Sequence, residues 1–461
     1  MEYISTRNIQ KIFSFKDAFL KGLAPDGGLF IPKKIPSYSS IELEKLKNLS
    51  YRDLATKIIL EFCGDEFNEG EIKNLINNSY KEFRTKDVVS IKKIGKVNLL
   101  ELFHGPTLAF KDIAMQVIGN MYEKILEKYN LKVNIVVATS GDTGAAAISA
   151  IKNRKNMKIF VLHPENKISE TQRKFMTTVD SKNVFNIAVA SNFDECQKFV
   201  KLMFVNKDFG QRINMSGVNS INWSRIVIQI VYYFFSYFKI ATKNEKINYS
   251  VPTGNFGDIY AGYIAKKMGL PINKLIVATN SNDILKRVIN TGVYKPLMVK
   301  HTISPSMDIQ IASNFERLVF DVSSCNSDRI IKLMNSLNEL GEFELEKNEL
   351  EKINNNFCSE SLTEEETKFV IKDVYKKQEV VIDPHTAVAI GVANKIATEE
   401  KTVVLSTAHP SKFSDTVMKV TGVKSNLPES LKNILSAKEK YEKFPKDLKK
   451  IQNYILQNCN N

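Results

Sequence analysis

Val133-Asn-Ile-Val-Val-Ala138 is followed by Thr139-Ser-Gly-Asp-Thr-Gly144 and then by Ala145-Ala-Ala-Ile-Ser-Ala-Ile151. The first six residues read as a strand. The next six, rich in hydroxyls and glycine, read as a loop. The alanine-rich run opens a helix. The same order recurs on both sides. Upstream, Ile113 to Leu126 has helical periodicity. Downstream come strands at Lys158–Leu162 and Val184–Val189, with a helical pattern from Phe193 to Phe204. A further unit runs through a strand at Ile247–Val251, the loop Pro252-Thr-Gly-Asn-Phe-Gly257 and a helix from Ile259 to Met268. Strands follow at Leu275–Ala278 and Thr402–Leu405. Strands alternating with helices imply an α/β fold with parallel sheets covered on both faces.

The flanking segments differ. Ala24-Pro-Asp-Gly-Gly28 suits a tight turn before Leu29–Pro32, and charged, helix-favouring sequence fills Ile41 to Phe83. This reads as a mixed N-terminal cap. Ile226 to Phe238 is apolar on all sides and shorter than the roughly 20 residues that span a bilayer, so it predicts a buried helix. Cys325 to Lys377 reads as a charged, helical, peripheral insertion, and the tail from Leu427 as helical and surface-bound. There is no internal repeat.

Composition narrows the class. The chain has 461 residues, enough for roughly two or three domains. Its five cysteines lack CxxC spacing and its five histidines lack metal-ligand spacing, which predicts no metal and a reducing, cytoplasmic setting. The N-terminus shows no signal-peptide pattern. The formal charge of +14 comes from lysines spread among acids, a pattern of a solvated surface rather than a nucleic-acid patch. A membrane or nucleic-acid partner is therefore not expected.

Four stretches carry candidate chemistry. Glu101-Leu-Phe-His-Gly-Pro-Thr-Leu-Ala-Phe-Lys-Asp112 sets Lys111 between an aromatic and an acid. An apolar face disfavours the charged amine, and a less basic lysine can form a Schiff base with an aldehyde. Gly254-Asn-Phe-Gly257 lies between strand and helix, where glycine lets backbone amides approach a phosphate. It is neither a Walker loop nor GxGxxG, and a plain tight turn fits it equally well. Ser140-Gly-Asp-Thr-Gly144 is a second such loop, suited to a carboxylate or phosphate, with the same alternative. Asn219-Ser-Ile-Asn-Trp-Ser-Arg225 puts a forked guanidinium just before the buried helix. That group suits a phosphate dianion, or a carboxylate partner within the protein. His104, His385 and His409 read as structural.

Phe103–Asp112, Gly141–Gly144, Asn219–Arg225, Pro252–Asp258 and Ser406-Thr-Ala-His-Pro410 occur in the order seen in the threonine synthase family. The chain resembles the long, bacterial and fungal type. Ser5-Thr-Arg7 and Gly22–Gly28 resemble that family's N-terminal domain, so the resemblance covers nearly the whole chain. Ser224 and Ser411 stand where alanine is expected.

The resemblance implies a fold-type II pyridoxal-phosphate enzyme with two open, mostly parallel sheet domains and an N-terminal cap. The implied divisions are residues 1–90, 91–245 with the lysine and the smaller substrate domain, and 246–461 with the phosphate loop and C-terminal helices. It implies conversion of O-phospho-L-homoserine and water to L-threonine and phosphate. Lys111 would be catalytic and bind pyridoxal 5'-phosphate. Gly254, Asn255, Phe256, Gly257, Asp258, Asp142 and Thr407 would complete the cofactor site, with Thr407 on the pyridine nitrogen. Ser140, Gly141, Thr143, Ser220, Asn222 and Arg225 would bind substrate. A monomer or weak homodimer is implied by analogy. The alternatives are a serine or threonine dehydratase-like lyase of the same fold, or a non-catalytic binding protein that keeps it.

Overall fold

The computed structural model describes residues 1–166 and 168–459. Its largest sheet has six strands, in the order Phe357–Ser361, Ile272–Thr279, Ile247–Pro252, Thr402–Ser406, Val97–Glu101 and Ser90–Ile94. All pair in parallel except the last, which is antiparallel. Five parallel strands form the second sheet: Glu442–Phe444, Val184–Val189, Met157–Pro164, Val133–Ala138 and Met215–Ser216. Near the N-terminus, Asn8–Phe13, Tyr3–Ser5 and Phe30–Pro32 make a small antiparallel sheet.

The two large sheets are the parallel layers that the strand–helix alternation predicts. Their membership departs from the expected divisions. Ser90–Ile94, which straddles the boundary expected at residue 90, and Val97–Glu101, grouped by sequence with 91–245, pair into the sheet of the 246–461 segment. Conversely, Glu442–Phe444 crosses over to the edge of the smaller sheet. Parallel neighbours need long crossovers, so adjacency in a sheet does not follow adjacency in the chain. Lys167, Asn460 and Asn461, which those divisions include, lie outside the described residues.

Two further expectations need correction. The segment from Cys325 to Lys377 is not wholly peripheral, because it supplies the edge strand Phe357–Ser361. The tail from Leu427 is not wholly helical or superficial. It carries the strand Glu442–Phe444, and Ile451 and Ile455 of helix Leu448–Cys459 are fully buried in the smaller core.

Helix Trp223–Ile240 is buried from Trp223 to Tyr237, as its all-round apolar character requires. Its few polar groups are used inward. Ser236 donates to the Tyr232 carbonyl, and Tyr232 and Tyr233 both donate to Asp258 Oδ1. Among the described residues, no helix is long and apolar enough to cross a membrane. The lysine helix Lys111–Lys128 packs on Asp142–Ile151 so closely that a β-carbon on Gly119 would stand 2.5 Å from the Ala150 carbonyl oxygen. That contact fixes the spacing of the two helices whose first residues are Lys111 and Asp142.

Candidate active site

Lys111 opens its helix at the end of a tightly built loop. Asp112 accepts from the Thr107 N–H at 2.7 Å and the Thr107 hydroxyl at 2.6 Å. Gly105 has no alternative, since a β-carbon there would lie 2.3 Å from Asp112 Cβ. Asp112 thus turns away from Lys111 and holds the loop. The acid that faces Lys111 comes from the other sheet: Lys111 Nζ is 3.4 Å from Asp142 Oδ2 and 4.9 Å from the Phe110 ring centre. Burial lowers the Lys111 pKa. Asp142 opposes this, while Lys412 and Arg225 add to it.

Asp142 begins helix Asp142–Ile151, after the strand Val133–Ala138. The turn into that helix needs Gly141, whose φ is 133°. The Thr139 hydroxyl accepts from the N–H groups of Gly141 and Gly144, each at 2.9 Å. The N–H groups of Ser140, Asp142 and Thr143 have no hydrogen-bond partner among the described residues, nor do the Ser140 and Thr143 hydroxyls. The Asp142 carboxylate meets Lys412 at 2.6 Å and Lys111, and accepts from Gln172 at 3.1 Å and Ser306 at 3.3 Å. Burial opposes its charge, but Lys412 and then Lys111 hold its pKa well below the carboxylate range.

The second loop follows the strand Ile247–Pro252. Phe256 adopts a left-handed φ of 63° and starts helix Gly257–Lys267. The N–H groups of Gly254, Asn255, Phe256, Gly257 and Asp258 have no partner among the described residues, which leaves a run of donors for an oxyanion. Around them, Asn255 donates to the Ser220 hydroxyl and accepts from the Ser313 N–H at 2.6 Å. Asn314 donates to the Ser220 and Asn255 carbonyls, each at 3.1 Å. Ser220 and the phosphate loop, distant in sequence, are therefore in contact.

Arg225 is 3% exposed, yet its Nε and Nη1 have no hydrogen-bond partner. Burial lowers its pKa to about 10, against the influence of Tyr232 and Asp258. Asp258 has one idle oxygen too, Oδ2. Burial raises its carboxyl to about 6, despite the two tyrosine hydrogen bonds and the charges of Arg225 and Lys111. Asn222 needs correction as a candidate substrate ligand. It is fully buried, its amide donates to the Phe19 carbonyl at 2.9 Å and its oxygen caps the helix at the Ser224 N–H. Both ends are committed to backbone, so it positions the Ser220–Arg225 segment.

Thr407 follows the central strand Thr402–Ser406, beside the lysine loop. Its carbonyl accepts from the Phe110 N–H, and its hydroxyl has no partner among the described residues. His104 meets Glu101 at 3.2 Å, and His385 meets Asp383 at 2.9 Å and accepts from the Ser306 N–H at 3.3 Å. His409 Nδ1 meets the Ser411 hydroxyl at 2.7 Å, which gives this unexpected serine a use.

Sequence reasoning missed Lys412 and Ser306. The only signal for Lys412 was a lysine set among Pro410, Ser411 and Phe413 just beyond a strand end. Ser306 sits in an aperiodic stretch with no signal of its own.

An aldehyde cofactor bearing a phosphate needs an amine, a ring partner and anion-binding donors. A buried amine, a free hydroxyl beside it, a run of idle amides and an unpartnered buried guanidinium fit such a group. Parallel strands delivering these groups at their carboxyl ends define a pyridoxal-phosphate-dependent enzyme. Residues 93–341 match the family described as "Pyridoxal-phosphate dependent enzyme". Residues 2–80 match "Threonine synthase N terminus" and residues 386–455 match "Threonine synthase, C-terminal". The threonine synthase of Pseudomonas aeruginosa is 39% identical over 100% of this chain and 99% of its own. The crystal structure of PLP-bound threonine synthase from Brucella melitensis superimposes with a TM-score of 0.97, at 40% identity and full coverage of both chains. That of the yeast enzyme gives 0.93, at 39% identity, covering 99% of this chain and 98% of its own. The chain belongs to the threonine synthase family.

Proposed function

We propose that the chain converts O-phospho-L-homoserine and water to L-threonine and inorganic phosphate. One observation carries the reading: three sets of unpartnered donors lie around the largely buried amine of Lys111. The reaction has three anions to hold, the cofactor phosphate, the substrate carboxylate and the substrate phosphate.

The amides of Gly254 to Asp258 would hold the cofactor phosphate at the start of their helix, and the Thr407 hydroxyl would be the partner of the pyridine nitrogen. A neutral hydroxyl there, unlike a carboxylate, would favour a less strongly protonated nitrogen. When bound, pyridoxal phosphate supplies an electron sink for carbanions on the amino acid attached to it. Lys111 would be the residue that holds the cofactor aldehyde, and its amine would move protons at the α and β carbons of the substrate. Its lowered basicity suits an amine that must both gain and lose a proton. Ser140 and Thr143 hold the substrate carboxylate, Gly141 shapes their turn with its N–H on Thr139, and Arg225 with Ser220 takes the substrate phosphate. The buried thiols of Cys63 and Cys196 support a cytoplasmic setting.

The test is phosphate release from O-phospho-L-homoserine by purified, cofactor-loaded chain, run beside serine and threonine. Stoichiometric phosphate and threonine are expected. Deamination of serine or threonine without phosphate release replaces this reading with a dehydratase.

A further inference from the structure

Lys412 is a lysine with 0% of its side chain exposed. It stands in the short 3-10 turn Pro410–Phe413, just beyond the strand that ends at Ser406. Its Nζ is 2.6 Å from Asp142 Oδ1, donates to the Thr107 carbonyl at 2.9 Å and faces the Phe175 ring at 5.5 Å. Lys111 Nζ stands on the other oxygen of the same carboxylate, at 3.4 Å from Oδ2. Two amines therefore share one buried acid, one on each oxygen. Nothing in the proposed chemistry uses the second amine.

We propose that Lys412 is a positioning residue that, through Asp142, sets how firmly the Lys111 amine keeps its proton. The proposal rests on Lys111 being the reacting amine. A buried carboxylate facing Lys111 alone would hold the proton on that amine and oppose its use as a base. With Lys412 on Oδ1, the negative charge is divided and the carboxylate is fixed in direction. Lys412 also adds its own charge against a proton on Lys111. The other charged groups facing Lys111 are Arg225 and Asp258, and the other acid near Lys412 is Asp112. Asp112 is occupied by Thr107 and Asp258 by two tyrosines, so Asp142 is the acid through which the lysines communicate. In line with this, Lys412 and Arg225 act with burial to lower the Lys111 pKa, and Asp142 acts against them.

The test compares the full chain with Lys412→Gln, Lys412→Met and Lys412→Arg. In cofactor-free protein, the pH dependence of Lys111 acetylation by acetic anhydride, read by mass spectrometry, reports the proton affinity of that amine. In loaded enzyme, the acidic limb of kcat against pH reports it independently, because Lys111 is a free amine only once substrate is bound. Removing the charge with Gln or Met is expected to move the Lys111 midpoint up by roughly one pH unit. The acidic limb should follow. Lys412→Arg should leave both within a few tenths of a unit. Using both neutral variants keeps the test available if one fails to fold, and melting temperatures identify that case. A lysine that merely ties Thr107 to Asp142 would lower the melting temperature and leave the midpoint in place. That result overturns the proposal, as does an equal shift in Lys412→Arg. Borohydride fixation of the cofactor to the Lys111 peptide, done on each protein, checks separately that Lys111 is the cofactor lysine.

Discussion

The carbonyl of Thr407 accepts a hydrogen bond of 2.8 Å from the N–H of Phe110, the residue before Lys111. The link continues on either side. Ala408 bridges Ala109, and the His409 N–H donates to the Leu108 carbonyl at 3.0 Å. Thr407 is thus held beside the lysine by backbone alone, and its hydroxyl is left for a ligand. Thr407→Val keeps the backbone bonds and removes only that hydroxyl. We expect the cofactor-free variant to stay within about 0.5 kcal/mol of the parent in denaturant titration, since no hydrogen bond inside the protein is broken. Turnover should fall about tenfold, the worth of one hydrogen bond near 1.4 kcal/mol. A loss of several kcal/mol in stability would make the hydroxyl structural and remove Thr407 from the cofactor site.

Lys111→Ala separates chemistry from folding in the same way. The amine is buried and made less basic there, so its removal leaves no partner stranded: Asp142 still has Lys412, Gln172 and Ser306. The variant should melt near the parent temperature. Its turnover should drop by at least on the order of a thousandfold, the scale of a lost proton-transfer group, and borohydride should fix no cofactor to it. Near-normal rates would end the assignment of Lys111.

Arg225 gives a prediction of opposite signs in two measurements. Its guanidinium is buried with idle Nε and Nη1, an arrangement that is costly until an anion arrives. Arg225→Met should raise the stability of protein free of cofactor and phosphate by about 1–3 kcal/mol, the cost of leaving such donors unsatisfied. The same change should raise KM for the phosphorylated substrate about tenfold or more, with a smaller effect on cofactor affinity. A variant that is less stable in the phosphate-free state would mean that Arg225 has a partner within the protein.

Local patterns placed most elements, and their limits are physical. Val133–Ala138 and Val184–Val189 keep the ends read from sequence, because polar residues, Lys132 and Thr139 for the first and Asn183 and Ser191 for the second, close each apolar run. The lysine loop, Gly254–Asp258 and Thr407 were legible as motifs, since such loops need particular residues at fixed offsets. Asp142 could be placed in a loop, but not as the acid facing Lys111. Asp112 is next to Lys111 in the chain, yet the loop turns it to Thr107. Lys412 and Ser306 reach Asp142 only through the meeting of the two sheets, which no window of sequence contains. Glu442–Phe444 is too short and charged to announce a strand. Its place comes from the open edge offered by Val184–Val189.

Glu101 ends the strand that leads into the lysine loop, and its charge contributes to holding that end in place. Its side chain is 7% exposed, with Lys92 at 2.8 Å, His104 at 3.2 Å and the Ser90 hydroxyl bonded to it. Burial pushes the carboxyl up, but hydrogen bonds from His104, Lys92 and Ser90 and the charge of Lys92 outweigh it and bring the pKa from 4.5 to about 2. A depressed folded-state pKa means that the unfolded chain binds the proton more readily. The contribution is then complete above about pH 4.5, shrinks as the unfolded group protonates below that, and is gone once the pH passes below about 2. A shift of this size corresponds to about 3 kcal/mol, and about 2 after allowing for the exposed Lys92 partner. Glu101→Gln should therefore lower unfolding free energy by about 2 kcal/mol at pH 7, measured by denaturant titration. The gap to the parent should narrow steadily from pH 4.5 downward. A gap that stays constant to pH 3, or that is absent at pH 7, would show that this carboxylate contributes nothing through its charge.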